Sequence, residues 1–253
     1  MIKVLAKHTF YEAHHTRLFW LYAIILGLIG GGVHFVGQLT LSEHQDFQLA
    51  FIGFTLRLTT VFLTCVFISM SLIREQTDKT LELILALPIR RAHYYWGKFC
   101  GYALICLMLS ALNSVFLLLF SSLASSVLWG VFLWFELLIV ASCCLFMVFS
   151  FKHLLPAICG TLLIYMTARL TTTLQALLES PLTASDSLLQ SFTQYVIQFL
   201  TWVLPSLDRF SQTLWLLATP TFSVQWVSSI AEGVIFILLI SSCALWDLNR
   251  KAI

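Results

Sequence analysis

Long apolar runs alternate with short polar stretches along most of the chain. Six of these runs reach about 20 residues, the length of an α-helix that crosses the hydrocarbon core of a bilayer. Few charged residues interrupt them. The pattern therefore predicts an all-α integral membrane protein that forms a single transmembrane domain over residues 1–253. The six predicted spans are residues 18–37, 50–73, 98–121, 127–150, 154–172 and 226–246.

The first 17 residues carry apolar side chains at helical spacing, with Lys3, Lys7 and His14 on the other side. This pattern predicts an amphipathic helix on the cytoplasmic membrane surface, and an ordered polar tail is the alternative. The apolar run that begins at Leu18 is about 19 residues long, which is too long for the apolar core of a signal peptide. We therefore expect this run to be retained as the first span.

Residues 173–225 mix apolar and polar positions and predict an outer segment before the sixth span. Within it, residues 188–204 are apolar enough to enter the bilayer. A full crossing would place Arg250 and Lys251 outside, against the rule that positive charge stays in the cytoplasm. A re-entrant or interfacial helical segment satisfies that rule if protein or water shields its non-helical backbone. We therefore predict the re-entrant or interfacial form.

Composition excludes two broad classes of protein. Hydrophobic residues make up 59% of the chain and charged residues 10%, whereas soluble domains average about 25% charged residues. The net charge is +2 and no basic stripe is present, so nucleic-acid binding is not expected.

If the N-terminus is cytoplasmic, 11 of the 14 Lys and Arg residues lie on the inner side. We predict a multi-pass protein of the cytoplasmic (inner) membrane with both termini in the cytoplasm.

The cysteines and histidines give no sign of a disulfide or a metal site. The seven cysteines lie in or at the ends of apolar runs without a C-x-x-C pair, as small core residues do. His8, His14 and His15 lie near the predicted membrane surface, but no cysteine or carboxylate completes a site with them at ligand spacing. We predict no metal site and no cofactor on this chain.

Charge is concentrated between Arg74 and Lys98, after the second predicted span. Thr77 or Asp78 can cap a short helix, and Pro88 would end it. The leucines in between form an apolar patch surrounded by charge. Such a helix suits the groove of a soluble partner, and an ordinary cytosolic loop is the alternative.

This charged segment resembles the type-two ABC permease family, the ABC-2-like exporters. The matching residues are Glu75, Thr80, Leu81, Glu82, Leu85, Pro88, Arg90 and Arg91, followed by Gly97 and Lys98. In that family an amphipathic elbow helix precedes the first span, and the loop after the second span carries a coupling helix that docks on an ATPase subunit. The resemblance therefore assigns residues 76–91 to a coupling helix. The docking residues that it implies are Glu75, Thr77, Asp78, Thr80, Leu81, Glu82, Leu85, Pro88, Arg90 and Arg91.

The resemblance also implies partners. The chain has no G-x-x-x-x-G-K-[ST] phosphate loop, so we expect ATP and Mg to bind a separate nucleotide-binding subunit. The family implies two such subunits with two permease chains, which we expect to form a homodimer in the lipid bilayer. No catalytic residue is expected on this chain. Residues 204–210 bear a weaker resemblance to a subgroup associated with copper-enzyme maturation, with Ser206 in place of the usual Asn.

Four ionisable residues lie within predicted spans. An unpaired charge at the centre of the bilayer costs about 2.5–3.5 kcal/mol by insertion scales. One interpretation is ion pairing that locks spans together, for example of Arg57 or Arg169 with Glu232. The other is a polar lining of a translocation path. The four residues are Arg57, Glu136, Arg169 and Glu232.

The span pattern together with the resemblance predicts the transmembrane subunit of an ABC transporter, and the resemblance implies an exporter, whose substrate is unidentified. Three alternatives come from other classes. An ion-coupled secondary carrier would show matching broken helices in two halves, and a membrane-embedded enzyme would show a motif such as H-E-x-x-H or G-x-S-x-G; neither is present. A non-transporting ABC-like maturation or sensor subunit would bind an ATPase without moving a substrate.

Overall fold

The computed structural model describes residues 2–39, 44–78, 91–151, 153–178, 188–217 and 224–250. These residues form helices and short turns, and none of them forms a strand. The helices are α1 (Ile2–His15), α2 (Leu18–Leu39), α3 (His44–Thr77), α4 (Arg91–Leu117), α5 (Leu123–Phe151), α6 (Leu154–Leu178), α7 (Leu188–Val203), α8 (Leu214–Leu217) and α9 (Val224–Arg250).

Six helices are long and apolar enough to cross a membrane, which confirms the predicted all-α fold with six spans. They are α2, α3, α4, α5, α6 and α9. Helix α4 begins at Arg91, seven residues before the predicted start of the third span at residue 98, and it ends at Leu117. Arg91, which the sequence pattern placed in the charged loop, is therefore helical.

Helix α5 is the centre of the bundle. It packs against α3, α4, α6, α8 and α9, and more than half of its residues are buried. Apolar residues lie on every side of it, which is typical of a helix surrounded by other helices. Helix α2 is the opposite case, because Trp20, Ile24 and Leu28 are exposed on it as they are on a lipid-facing span.

Helix α1 packs closely against α4 through a face of small residues. Ala6, Thr9 and Ala13 are buried on this face. A Cβ atom at Gly101 of α4 would lie 2.7 Å from the Cβ atom of Thr9, so only glycine allows this approach. The predicted amphipathic helix is thus present, whereas its role as an elbow on the membrane surface stays a prediction.

Helix α7 has 16 residues and is not among the six candidate spans. The chain then leaves helical geometry at Leu204, makes a single 3-10 turn at Leu207–Arg209 and enters α8. This connecting segment, residues 204–213, packs against α6 through the 3-10 turn, and its Leu207 and Phe210 are buried. Protein therefore shields much of its non-helical backbone, as the predicted re-entrant form requires.

Candidate functional site

Glu136, in the middle of α5, is fully buried and holds the first of two polar clusters. Its Oε1 atom accepts hydrogen bonds from the Tyr165 hydroxyl at 2.8 Å and from Nη1 of Arg169 at 3.1 Å. Its Oε2 atom accepts one from the Ser211 hydroxyl at 2.5 Å. The carboxylate therefore joins α5, α6 and the connecting segment. With Arg57, these residues form what we name the buried charge cluster.

The connecting segment supplies backbone carbonyls to the two arginines of this cluster. Nη1 of Arg169 donates to the Leu207 carbonyl at 2.8 Å, and Nη1 of Arg57 donates to the Ser211 carbonyl at 3.1 Å. The indole of Trp129 donates to the same Ser211 carbonyl at 3.1 Å. Ser211 has φ of 43°, a left-handed conformation that is uncommon for a residue other than glycine. The backbone is thus held in a costly conformation that points a carbonyl at two donors.

The predicted pairing of Arg57 or Arg169 with Glu232 was wrong. Arg169 instead pairs with Glu136. Glu232 lies outside the cluster and meets Arg209 of the 3-10 turn at 3.6 Å. Sequence reasoning missed this outcome because Ser211, Leu207 and Arg209 lie in the segment whose pattern was least regular.

The second polar cluster, which we name the Lys98 cluster, lies where α1, α3 and α4 meet. The Lys98 ammonium is buried and contacts the Glu75 carboxylate of α3. The Tyr94 hydroxyl donates to Glu75 Oε2 at 2.9 Å. This pair fixes the end of α3 to the first turns of α4. The remaining members are Glu12, Ser71 and Tyr102.

Helix α1 joins the Lys98 cluster through a chain of hydroxyl groups. The Tyr102 hydroxyl donates to Ser71 Oγ at 3.2 Å, and the Ser71 hydroxyl donates to Glu12 Oε1 at 2.8 Å. The other Glu12 oxygen, Oε2, is buried without a hydrogen-bond partner among the described residues. Movement of α3 relative to α4 would therefore be felt by α1.

The predicted docking residues fall into two groups. Thr77 and Asp78 are exposed at the end of α3, whereas the Glu75 side chain points inward to Lys98 and Tyr94. Nη1 of Arg91 donates to the Leu248 carbonyl at 2.6 Å, which ties the start of α4 to the end of α9. The geometry thus favours a positioning role for Glu75 and Arg91 over direct docking. Thr80, Leu81, Glu82, Leu85, Pro88 and Arg90 lie outside the described residues, so the coupling helix stays a prediction.

Comparison with known families decides the class of this protein. Residues 10–178 match the family model described as "ABC-2 family transporter protein", which covers more than half of the chain. The chain belongs to the ABC-2 transporter family. It is therefore a multi-pass ABC transporter permease subunit, and its family implies pairing with an ATP-binding subunit. No curated protein matches the chain significantly.

The matched region of this ABC-2 permease contains the Lys98 cluster and the Arg57, Glu136, Tyr165 and Arg169 part of the buried charge cluster. It ends before the connecting segment and α9. The resemblance of residues 204–210 to the copper-maturation subgroup therefore stays a prediction. The family match favours a permease over a secondary carrier or a membrane-embedded enzyme, because subunits of this family are generally not enzymes themselves.

Contrary to the sequence-based expectation, carboxylates lie close to one of the three N-terminal histidines. His8, Glu12 and Glu75 carry ligand atoms that lie within 4.8 Å of one another. Carboxylates therefore do come together with His8, one from the next turn of α1 and one from α3. In the structure the cation that meets Glu75 is the Lys98 ammonium. The absence of a metal from this permease stays a prediction.

A third polar group in the permease is neutral. The Tyr22 hydroxyl of α2 lies 2.6 Å from Thr60 Oγ1 of α3 and donates to Asn113 Oδ1 of α4 at 2.6 Å. Nδ2 of Asn113 donates to Thr60 Oγ1 at 3.0 Å. The three residues are fully buried and satisfy one another. Sequence reasoning missed this group because its members are far apart along the chain and carry no charge.

Proposed function

We propose that this permease is part of an exporter that moves an unidentified substrate across the cytoplasmic membrane. A separate subunit would bind ATP and Mg, and residues 76–91 would form the coupling helix that docks on it. Two permease chains, as a homodimer, would assemble with two ATPase subunits. Both termini would lie in the cytoplasm. The observation that carries this proposal is the buried Glu75–Lys98 pair, which joins the two helices that flank residues 79–90.

That pair supports a mechanical role for the segment between α3 and α4. A force applied to residues 79–90 would reach both helices at once, because Glu75 and Lys98 hold their ends together. It would also reach α9 through the hydrogen bond from Arg91 to the Leu248 carbonyl. Small displacements at such a junction are amplified when packed helices have two alternative arrangements.

Helix α3 would then carry the motion to the buried charge cluster. Glu75 and Arg57 are 18 residues apart on α3, which is about 27 Å along the helix axis. The Arg57 guanidinium donates a hydrogen bond to the Ser211 carbonyl in the connecting segment. We propose that ATP-driven motion of α3 changes this contact and alternately opens the far end of the permease.

Copurification tests the docking proposal. The tagged chain would be extracted in mild detergent from its native membrane, and its partners identified by mass spectrometry. A soluble ATPase with a phosphate loop should copurify with the wild type and be lost from the Leu81→Asp/Leu85→Asp variant. Leu119→Asp is the matched control, because Leu119 is an exposed leucine in the turn after α4, outside residues 76–91 of the sequence.

Three results would change the proposal. An ATPase that stays bound to the double variant would remove residues 81–85 from the docking surface. If a stably extracted wild-type chain brings down no ATPase, the exporter proposal fails. An ATPase that binds but supports no substrate movement after reconstitution would favour the non-transporting maturation or sensor subunit.

A further inference from the structure

A groove of about 530 Å³ opens between α6, α7, the connecting segment and α9. Its volume is in the range of small-molecule sites in proteins. Most of its lining is apolar. The two charged residues in the lining, Arg209 and Glu232, lie beside each other. The apolar lining residues are Trp202, Val203, Leu204, Pro205, Ile235, Phe236 and Leu239.

The two charges of the groove lie near the boundary between lipid headgroups and hydrocarbon. Helix α9 has 27 residues, about 40 Å in length, close to the thickness of a bilayer with its headgroups. Glu232 is eight residues after Val224, the first residue of α9. It is therefore about 12 Å from that end, which is a few ångströms inside the hydrocarbon when α9 is centred on the bilayer and perpendicular to it.

This ion pair differs from the one in the buried charge cluster. Arg209 and Glu232 are 47% and 45% exposed and 3.6 Å apart, whereas Glu136 has no exposed surface. The Ser206 hydroxyl donates to Glu232 Oε2 at 2.9 Å and fixes that carboxylate at the groove wall. Half-exposed charges are expensive at this depth unless something polar covers them. The neighbouring exposed side chains, such as Trp202 and Leu239, would face acyl chains.

We propose that this groove binds a zwitterionic phospholipid with a primary amine, of the phosphatidylethanolamine type. Arg209 binds the phosphate, because a guanidinium presents several donors to phosphate oxygens. Glu232 accepts hydrogen bonds from the ammonium group. One acyl chain lies along α9 against Ile235, Phe236 and Leu239. The headgroup thus replaces the long Arg209–Glu232 contact with two shorter charge-assisted ones.

Charge complementarity selects this occupant over other lipids. An anionic headgroup such as phosphatidylglycerol would satisfy Arg209 but would meet the Glu232 carboxylate without a counter-charge. A choline headgroup carries the positive charge but has no N–H to donate. We therefore expect the groove to bind ethanolamine lipid best, choline lipid less well and glycerol lipid least.

Lipid binding would be measured on the full-length chain in detergent without any ATPase subunit. Native mass spectrometry would follow titration with matched dioleoyl lipids carrying ethanolamine, choline or glycerol headgroups. We expect about tenfold tighter binding of the ethanolamine lipid than of the glycerol lipid, equivalent to one extra charge-assisted contact. Because no ATPase is present, the result does not depend on the proposed export function.

Two variants separate the headgroup site from general lipid coating. The charge reversal Arg209→Glu/Glu232→Arg keeps an ion pair and the net charge, and it should abolish the tenfold preference. Glu232→Gln should reduce the preference for ethanolamine over choline lipid. Arg250→Gln is the control, because Arg250 is an exposed cation above the Trp246 ring at the other end of α9; it should leave the preference unchanged.

Specific results would overturn the proposal. Equal binding of the three lipids by the wild type would show that the groove does not recognise a headgroup. A charge-reversed variant that stays folded and keeps the preference would place the lipid site elsewhere. If loss of the Arg209–Glu232 pair changes the chain's oligomeric state and not its lipid binding, a second copy of the chain covers the groove instead.

Discussion

The buried charge cluster and the Lys98 cluster satisfy their charged groups with different sets of partners. Each hides an acid and a base inside a bundle of apolar helices. In the buried charge cluster, the Glu136 carboxylate accepts from Arg169, Tyr165 and Ser211. The two arginines of the cluster also donate to backbone carbonyls of the connecting segment. In the Lys98 cluster, the carboxylate of Glu75 faces one ammonium and one tyrosine hydroxyl.

The two clusters differ in how many groups share the carboxylate. Removing one hydrogen-bond donor from the buried charge cluster leaves several others in place. Removing its single carboxylate leaves two arginines without a negative charge in the cluster. The Lys98 cluster joins α1 to the two spans that precede and follow residues 79–90 in the sequence. We therefore expect damage to the first cluster to affect folding most, and damage to the second to affect coupling to an ATPase.

The largest effect is expected from Glu136→Ala. It leaves Arg169 without its counter-charge and Tyr165 and Ser211 without their acceptor, so the free energy of unfolding should fall by about 3–5 kcal/mol. Unfolding in mixed detergent micelles, followed by circular dichroism, would measure this loss. Glu136→Gln should lose less, because an amide oxygen can still accept two of the hydrogen bonds.

A double variant tests whether charge is the reason for that loss. Glu136→Gln/Arg169→Gln removes both members of the pair and should be more stable than the sum of the two single losses predicts. Strict additivity would show that Glu136 and Arg169 are not energetically coupled. The buried charge cluster would then be a set of independent hydrogen bonds.

Lys98→Met should have a smaller effect on stability, about 3 kcal/mol, the low end for a broken buried pair. Glu75 is 12% exposed, so water can reach its carboxylate after the loss of Lys98, which limits the cost. In the assembled complex, the permease's effect on the rate of ATP hydrolysis by the ATPase subunit should fall by more than the loss of stability alone would cause. Leu109→Ala, a buried change of apolar volume farther along α4, is the control; an equal loss of coupling in both variants would contradict a special role for Lys98.

The spans could be predicted because runs of apolar residues of this length have few other structural solutions. The start of α4 could not, because Arg91 is charged and its partner is the backbone carbonyl of Leu248 on another helix. Arg57, Glu136 and Arg169 were identified by their cost in a membrane. Their partners were not, because Leu207 and Ser211 contribute backbone carbonyls, which carry no signal in the sequence.

Two changes at Ser211 separate the effect of its hydroxyl from that of its backbone conformation. Ser211→Ala removes one donor to Glu136 but leaves Tyr165 and Arg169, so we expect a loss of about 1–2 kcal/mol. Ser211→Gly also removes the hydroxyl, but glycine accepts the φ of 43° at no steric cost. The glycine variant should therefore be the more stable of the two in the same unfolding assay. The reverse order would show that the backbone conformation at Ser211 is not strained.

Tyr22→Phe gives the neutral reference against which both charged clusters can be judged. It removes a hydroxyl that lies 2.6 Å from both Thr60 Oγ1 and Asn113 Oδ1. Asn113 and Thr60 can still bond each other, and hydrogen bonds between membrane helices average about 0.6 kcal/mol in double-mutant cycles. We expect a loss of that size and no change in coupling. A loss as large as that of Lys98→Met would mean that charge is not what sets the two clusters apart, and that packing of α2 and α4 against α3 dominates instead.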